Sequence, residues 1–419
     1  MAESILFTHI KSLFGTRHPD TRKLAGYEMK DAGAISDAWL FIKDGKIDSY
    51  GTMDQLESSK IDPSGNAKQV DLKGRMVIPA WCDSHTHIVF PVSREGEFVD
   101  RIHGLTYTEI AERGGGILNS ARKMADADED SLFNGACKRI NEIIGFGTGA
   151  VEIKSGYGLS VESELKMLRV IKRLKEWSPI PVRATFLGAH AIPVELKDNR
   201  AEYIRLITEE MLPVIADEGL ADYNDVFCDK GFFTVEETET ILEAGLRYGL
   251  QPKIHANELD RSGGIQTGVK YNALSVDHLE FTGPDEISTL LDSETMPTLL
   301  PSTAFFLKLE YAPARNMIDA GLPVAVATDY NPGSSPSGNM PFVVSLSCIH
   351  MQMDPEEAIN AATINGAYAM GLDDRLGSIT EGKDASFIVT KEIPSLAYIP
   401  YAFGSDHIEQ VYINGNKKI

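Results

Sequence analysis

The chain has 419 residues, 43% apolar and 24% charged, with a formal net charge of -21. That length and balance describe a globular protein with room for one large domain or two modest ones. The charge argues against a nucleic-acid surface and against docking on anionic membrane. The N-terminus lacks a basic segment leading into an apolar one, and no apolar run reaches transmembrane length. The four cysteines are scattered, and Cys82, Cys228 and Cys348 lie in apolar surroundings. They read as reduced core residues of a cytoplasmic protein.

In chain order, the first elements are short strands with turns. Ala38–Ile42, the turn Lys43–Lys46 and Ile47–Tyr50 form a hairpin pattern around Asp44-Gly45. The C-terminus has the same texture: Ala385–Val389, then Val411–Ile413, with Asn414-Gly415-Asn416 as a turn. The two ends are expected to pair into one accessory β-sandwich domain, residues 1–75 plus 380–419.

Between them, over 76–379, eight apolar runs alternate with amphipathic stretches. The runs are Met76–Cys82, Ala150–Ile153, Val182–Leu187, Asp225–Cys228, Lys253–His255, Ala273–Val276, Thr298–Leu300 and Val324–Ala327. Val161–Trp177 carries Leu165, Leu168, Ile171 and Leu174 at helical spacing, and Ala201–Ala216 and Val235–Tyr248 behave likewise. Thr234-Val235-Glu236-Glu237 has the pattern of a capping box. Strands alternating with helices predict an α/β fold, and eight of them a (β/α)8 TIM-type barrel. A doubly wound open sheet competes, but the strand count and the lack of a Gly-x-Gly-x-x-Gly turn favour the barrel.

In a barrel the reactive groups sit where strands end. Asp83-Ser84-His85-Thr86-His87 follows the first run, and alternation along a strand aims both imidazoles one way. The later ends read Lys154-Ser155-Gly156-Tyr157, Gly188-Ala189-His190, Asp229, His255-Ala256-Asn257-Glu258, Asp277-His278-Leu279-Glu280, Ser302-Thr303 and Thr328-Asp329-Tyr330-Asn331. Five of the ten histidines fall there; His9, His18, His103, His350 and His407 are read as surface or packing residues. His85, His87, His255 and Asp329 offer three imidazoles and a carboxylate, a set that suits Zn²⁺ or Fe²⁺ and leaves room for water. A metal there brings the pKa of water toward neutrality.

These residues resemble the amidohydrolase superfamily along nearly the whole chain. The resemblance rests on His85-Thr86-His87 followed by Ser93-Arg94-Glu95, on Gly114-Gly115-Gly116-Ile117 and on Glu152–Leu159. It rests further on Leu187–His190, His255–Glu258 and Thr328–Ser334. Ser84 and the segment Pro91-Val92-Ser93 depart from the more usual family form without touching a presumed ligand. The motifs look like the branch that opens the ring amide of 4-imidazolone-5-propanoate, giving N-formimidoyl-L-glutamate in histidine degradation.

The resemblance implies one metal per chain, Zn²⁺ or Fe²⁺/Fe³⁺, on His85, His87, His255 and Asp329, rather than a two-metal centre bridged by Lys230. It implies catalytic roles for three residues. Asp329 accepts the water's proton, Glu258 shuttles a proton to the leaving nitrogen, and His278 orients the nucleophile or stabilises the oxyanion. Arg94 takes the propanoate of a small anionic substrate. Tyr157, His190, Glu258, Asn331, Gly333 and Ser334 make the remaining substrate contacts. Gly114–Gly116 is a mobile loop or a plain turn. A homodimer is implied, with no nucleic-acid or membrane partner. The competing readings are a cytosine- or guanine-type deaminase, whose substrate lacks the propanoate, and a catalytically silent scaffold barrel.

Overall fold

The computed structural model describes residues 4–56, 61, 67–105, 109, 113 and 115–419. Eight parallel strands follow one another round a barrel. They are β6 (Trp81–Thr86), β7 (Thr148–Lys154), β8 (Val182–Ala189), β9 (Tyr223–Cys228), β10 (Gln251–Ala256), β11 (Ser275–His278), β12 (Met296–Leu299) and β13 (Ala325–Val326). The ring closes where Thr86 bridges Tyr330 in parallel, with the His87 N–H donating to the Tyr330 carbonyl at 2.9 Å. The (β/α)8 expectation is therefore met. Helices cover the outside; the helix Val161–Trp177 buries Leu165, Leu168, Ile171 and Leu174.

The accessory part is one mixed sheet. Its strands are β1 (Ser4–Leu13), β2 (Ile35–Lys43), β3 (Lys46–Thr52), β4 (Lys68–Asp71), β5 (Met76–Pro79), β14 (Phe387–Thr390), β15 (Ile408–Ile413) and β16 (Asn416–Lys417). The chain ends meet through β5, which is parallel to β1 and antiparallel to β14. The β2–β3 hairpin turns at Asp44 and Gly45, with φ of +55° and +74°. Both central residues of a type I′ turn need positive φ, which explains Asp-Gly there. Phe7, Phe387 and Tyr412 pack edge and face within the sheet's core.

Three expectations shift. The run Met76–Cys82 is not one strand: β5 belongs to the accessory sheet, and β6 opens the barrel after Ala80. The sixth strand is Ser275–His278 rather than Ala273–Val276, so Asp277 and His278 lie within it. The stretch Ala201–Ala216 is helical but interrupted, with a π turn at Leu206–Met211 before a helix whose first turn holds Pro213. Proline has no N–H to give the preceding turn, so the ladder widens there. The Thr234 capping box forms as read, with the Glu237 N–H on Thr234 Oγ1 at 3.2 Å and the Thr234 N–H on Glu237 Oε2 at 3.0 Å. All four cysteines are free thiols.

Candidate metal and substrate site

Five imidazoles converge at the strand C-terminal ends of the barrel. Ring centroids lie 5.3 Å apart for His85–His87, 4.5 Å for His85–His255 and 5.2 Å for His255–His278. His190 stacks on His87 at 5.4 Å. Burial, reinforced by neighbouring imidazoles and Lys154, pushes His85, His87, His255 and His278 well below the ordinary histidine range. Burial likewise lowers His190 to about 4. Neutral rings are what a metal needs from histidine.

Asp329 is fixed among these rings. It sits at φ +52°, a conformation aspartate tolerates better than most residues. Thr303 Oγ1 donates to its Oδ2 at 2.6 Å. Its Oδ1 lies 3.5 Å from His85 Nε2 and 3.6 Å from His87 Nε2. Buried Asp83 fixes the preceding residue by accepting from the Thr328 N–H at 3.0 Å and from its hydroxyl at 2.7 Å.

Among the described residues, two trios have ligand atoms that all lie within 4.8 Å of one another: His85, His87 and Asp329, and His85, His255 and His278. The His85 and His255 Nε2 atoms are buried with no protein hydrogen-bond partner. Orphaned imidazole nitrogens beside a carboxylate fit a divalent or trivalent cation. His278 thus lies within ligand reach of His85 and His255 as well as beside Glu258.

The Nδ1 atoms face inward acids that sequence reading passed over. His85 Nδ1 is 2.7 Å from Asp277 Oδ2, and His255 Nδ1 is 3.0 Å from Asp225 Oδ2. His87 Nδ1 meets the Ser155 carbonyl at 3.3 Å. Such a hydrogen bond fixes the tautomer of His85 and leaves its Nε2 free to face the cluster. Beneath them Lys154 Nζ donates to Glu152 Oε1 at 2.7 Å and Asp225 Oδ2 at 2.8 Å, and lies 3.3 Å from Asp277 Oδ2. Lys253 pairs with Glu152. The signal available in the sequence was charges within or directly after otherwise apolar runs: Glu152, Lys154, Asp225, Lys253 and Asp277.

Glu258 lies 3.7 Å from His278 Nε2. Burial, with the charges of Asp329 and Asp229, raises Glu258 to about 8. Glu280, quoted in the sequence without a role, is buried 3.9 Å from His278 Nδ1. Arg94 pairs with Glu97, and its guanidinium lies on Gly333, where a Cβ would come within 2.2 Å of Nη1. Tyr157 is buried, its ring 5.6 Å from both His87 and His190. Asn331 uses its side chain on its own loop: Nδ2 donates to the Asp329 carbonyl at 2.6 Å and Ser334 Oγ at 2.7 Å. Its Oδ1 accepts from the Gly333 and Ser334 N–H groups, both at 2.8 Å.

Lys230 stands apart. It is 77% exposed and pairs with Asp260 at 3.0 Å. The five remaining histidines also lie elsewhere; His350 stacks on Tyr311 and His407 meets the Ala402 carbonyl. Of Gly114–Gly116, Gly114 is outside the described residues, and Gly116 precedes the helix Ile117–Asp126 with its N–H on Glu97 Oε1 at 3.1 Å.

The amidohydrolase family's profile matches residues 76–418. A protein of Flavobacterium johnsoniae named imidazolonepropionase is 58% identical over 410 residues, covering 98% of each chain. One of the same name from Geobacillus kaustophilus is 43% identical, covering 94% of this chain and 92% of its own. A solved triazine hydrolase variant superposes with a TM-score of 0.75 at 15% identity, covering 99% and 94% of the two chains. Guanine deaminase from C. acetobutylicum with bound guanine gives 0.69 at 18%, covering 99% and 100%. At those identities the solved structures speak for the fold alone. The chain belongs to the amidohydrolase family, metal-dependent hydrolases that act on small molecules. Within that family, its full-length likeness sets it among the imidazolonepropionases.

Proposed function

We infer that the chain hydrolyses the ring amide of 4-imidazolone-5-propanoate to N-formimidoyl-L-glutamate, a step of histidine degradation. One observation carries the reading: neutral, buried imidazoles and Asp329 stand at the same barrel end as Arg94, seated on the loop after Asp329. The first set serves amide hydrolysis and the second a carboxylate. The deaminase reading gives Arg94 no substrate carboxylate and leaves it only its pairing with Glu97.

We propose one Zn²⁺ or iron ion per chain, held by His85, His87, His255 and Asp329. Bound there, it supplies Lewis-acid chemistry, activating water and polarising the ring carbonyl. Asp329 Oδ1 takes the proton released by water as it adds to the carbonyl carbon. The C–N bond then breaks, and Glu258, protonated at neutral pH, passes a proton to the leaving ring nitrogen. His278, beside Glu258, orients the nucleophile and stabilises charge on the carbonyl oxygen. Arg94 fixes the propanoate, and Tyr157 and His190 supply donors over the ring. Gly333 and Ser334 offer backbone and hydroxyl contacts, while Asn331 brackets their loop.

The formal charge of -21 repels an anionic substrate at long range, but screening beyond roughly 8 Å at physiological salt limits that cost. A cytoplasmic homodimer without nucleic-acid or membrane partners completes the proposal. No helix among the described residues is long and apolar enough to cross a membrane. The chain is further proposed to divide into 1–75 with 380–419 and 76–379, β5 forming the joint. The test follows loss of the substrate's ultraviolet absorbance with metal-loaded and chelated protein. Absence of turnover by metal-loaded protein refutes the assignment.

A further inference from the structure

Glu164 lies in the first turn of the helix Val161–Trp177, buried, and among the described residues no ion pair reaches it. Its carboxylate turns back over the segment 154–159. Oε2 accepts from the Gly156 N–H at 3.0 Å; Oε1 accepts from the Gly158 N–H at 2.6 Å and the Leu159 N–H at 3.0 Å. These amides have little prospect of pairing within a regular turn, because Gly156 and Leu159 sit at φ +105° and +51°. Three backbone donors and a helix N-terminus stand in for the missing cation.

What this segment carries gives the clamp its meaning. The Ser155 carbonyl meets His87 Nδ1 at 3.3 Å, and the Gly156 carbonyl meets His190 Nδ1 at 3.0 Å. Tyr157 is the next residue, buried beside both rings. Gly158 packs so closely that a Cβ there would come within 2.4 Å of the Glu164 backbone nitrogen. One short turn therefore sets three side chains of the site, and Glu164 sets the turn.

We propose that Glu164 is a positioning residue for substrate binding, acting through Tyr157 and His190 by fixing the turn that holds them. The proposal rests on the imidazolonepropionate reading above. Glu164→Gln keeps the shape but turns an NH₂ toward backbone N–H donors. KM is expected to rise about tenfold or more, the equivalent of about 1.4 kcal/mol, with kcat at saturating substrate and metal within about threefold of the parent. Acting through Tyr157, it should be non-additive with Tyr157→Phe: the double variant's KM should fall well short of the product of the two single effects.

An unchanged KM in folded Glu164→Gln, or strictly multiplicative effects, overturns the proposal. Glu164→Asp retains the charge but falls short of the amides, and should raise KM similarly if Glu164→Gln is insoluble. Should neither variant fold, hydrogen exchange of the parent decides. Gly156, Gly158 and Leu159 amides protected like those of β7 support the clamp, and exchange at open-turn rates overturns it. Failure of the functional reading is a separate result, since the parent enzyme itself would not turn over the substrate.

Discussion

Lys154→Met removes the ammonium at the centre of the buried cluster while keeping most of the methylene stem. Lys154, Lys253, Glu152, Asp225 and Asp277 all have side chains 0% exposed. Burial disfavours the ammonium, yet Asp225, Glu152 and Asp277 outweigh it and hold the amine above its ordinary range. Three carboxylates and two lysines sum to -1, and the variant leaves -2. Taking one partner from a buried pair costs about 3–5 kcal/mol. A second route gives a similar figure. Protonating one surplus carboxyl of ordinary pKa about 4 at pH 7 costs about 4 kcal/mol, at 1.36 kcal/mol per unit. Urea unfolding of the chelated protein, followed by circular dichroism, should thus show a loss of about 4 kcal/mol at unchanged slope. Adding Glu152→Gln restores the charge balance and should recover part of it, a coupling of about 0.5–3 kcal/mol. A loss under about 1 kcal/mol in Lys154→Met would refute the reasoning.

The remaining predictions concern the site. Arg94→Ala should raise KM with little change in kcat, by loss of the carboxylate clamp; an unaltered KM sinks that assignment. Gly333→Ala should raise KM as well, because its Cβ would displace the Arg94 guanidinium, and steady-state kinetics on folded protein checks it. Asp277→Ala should weaken metal retention about 10–100-fold in chelator competition, by freeing the His85 ring. Glu258, raised to about 8 by burial and by Asp329 and Asp229, carries its proton below that pH and loses it above. The rate should therefore fall on the alkaline side near pH 8, and Glu258→Gln should lower kcat and abolish that limb. An alkaline limb surviving in Glu258→Gln excludes Glu258 as its source.

How far the sequence could be read follows from the range of each interaction. Strand alternation is local, so His85 and His87 announce themselves, and the barrel rhythm tells where His190, His255, His278 and Asp329 must converge. The split of Met76–Cys82 between two sheets is not local: β5 and β6 are equally apolar, and only their partners, β1 and β14 against β7, separate them. The buried cluster is hidden for the same reason, since its members come from β7, β9, β10 and β11 and meet only inside the closed barrel. Yet chemistry demands such a cluster. A neutral histidine presenting Nε2 needs an acceptor at Nδ1, and inside a barrel that acceptor is a neighbouring strand's side chain or a turn carbonyl. His85 takes Asp277 and His87 takes the Ser155 carbonyl, while Asp225 stands 3.0 Å from His255 Nδ1 and accepts from the His255 backbone N–H. Two inward carboxylates then require a buried cation, and Lys154 meets both. Once a strand-end histidine is read as a ligand, a lone acid inside another barrel strand becomes its expected partner, and a lone lysine the partner of that acid.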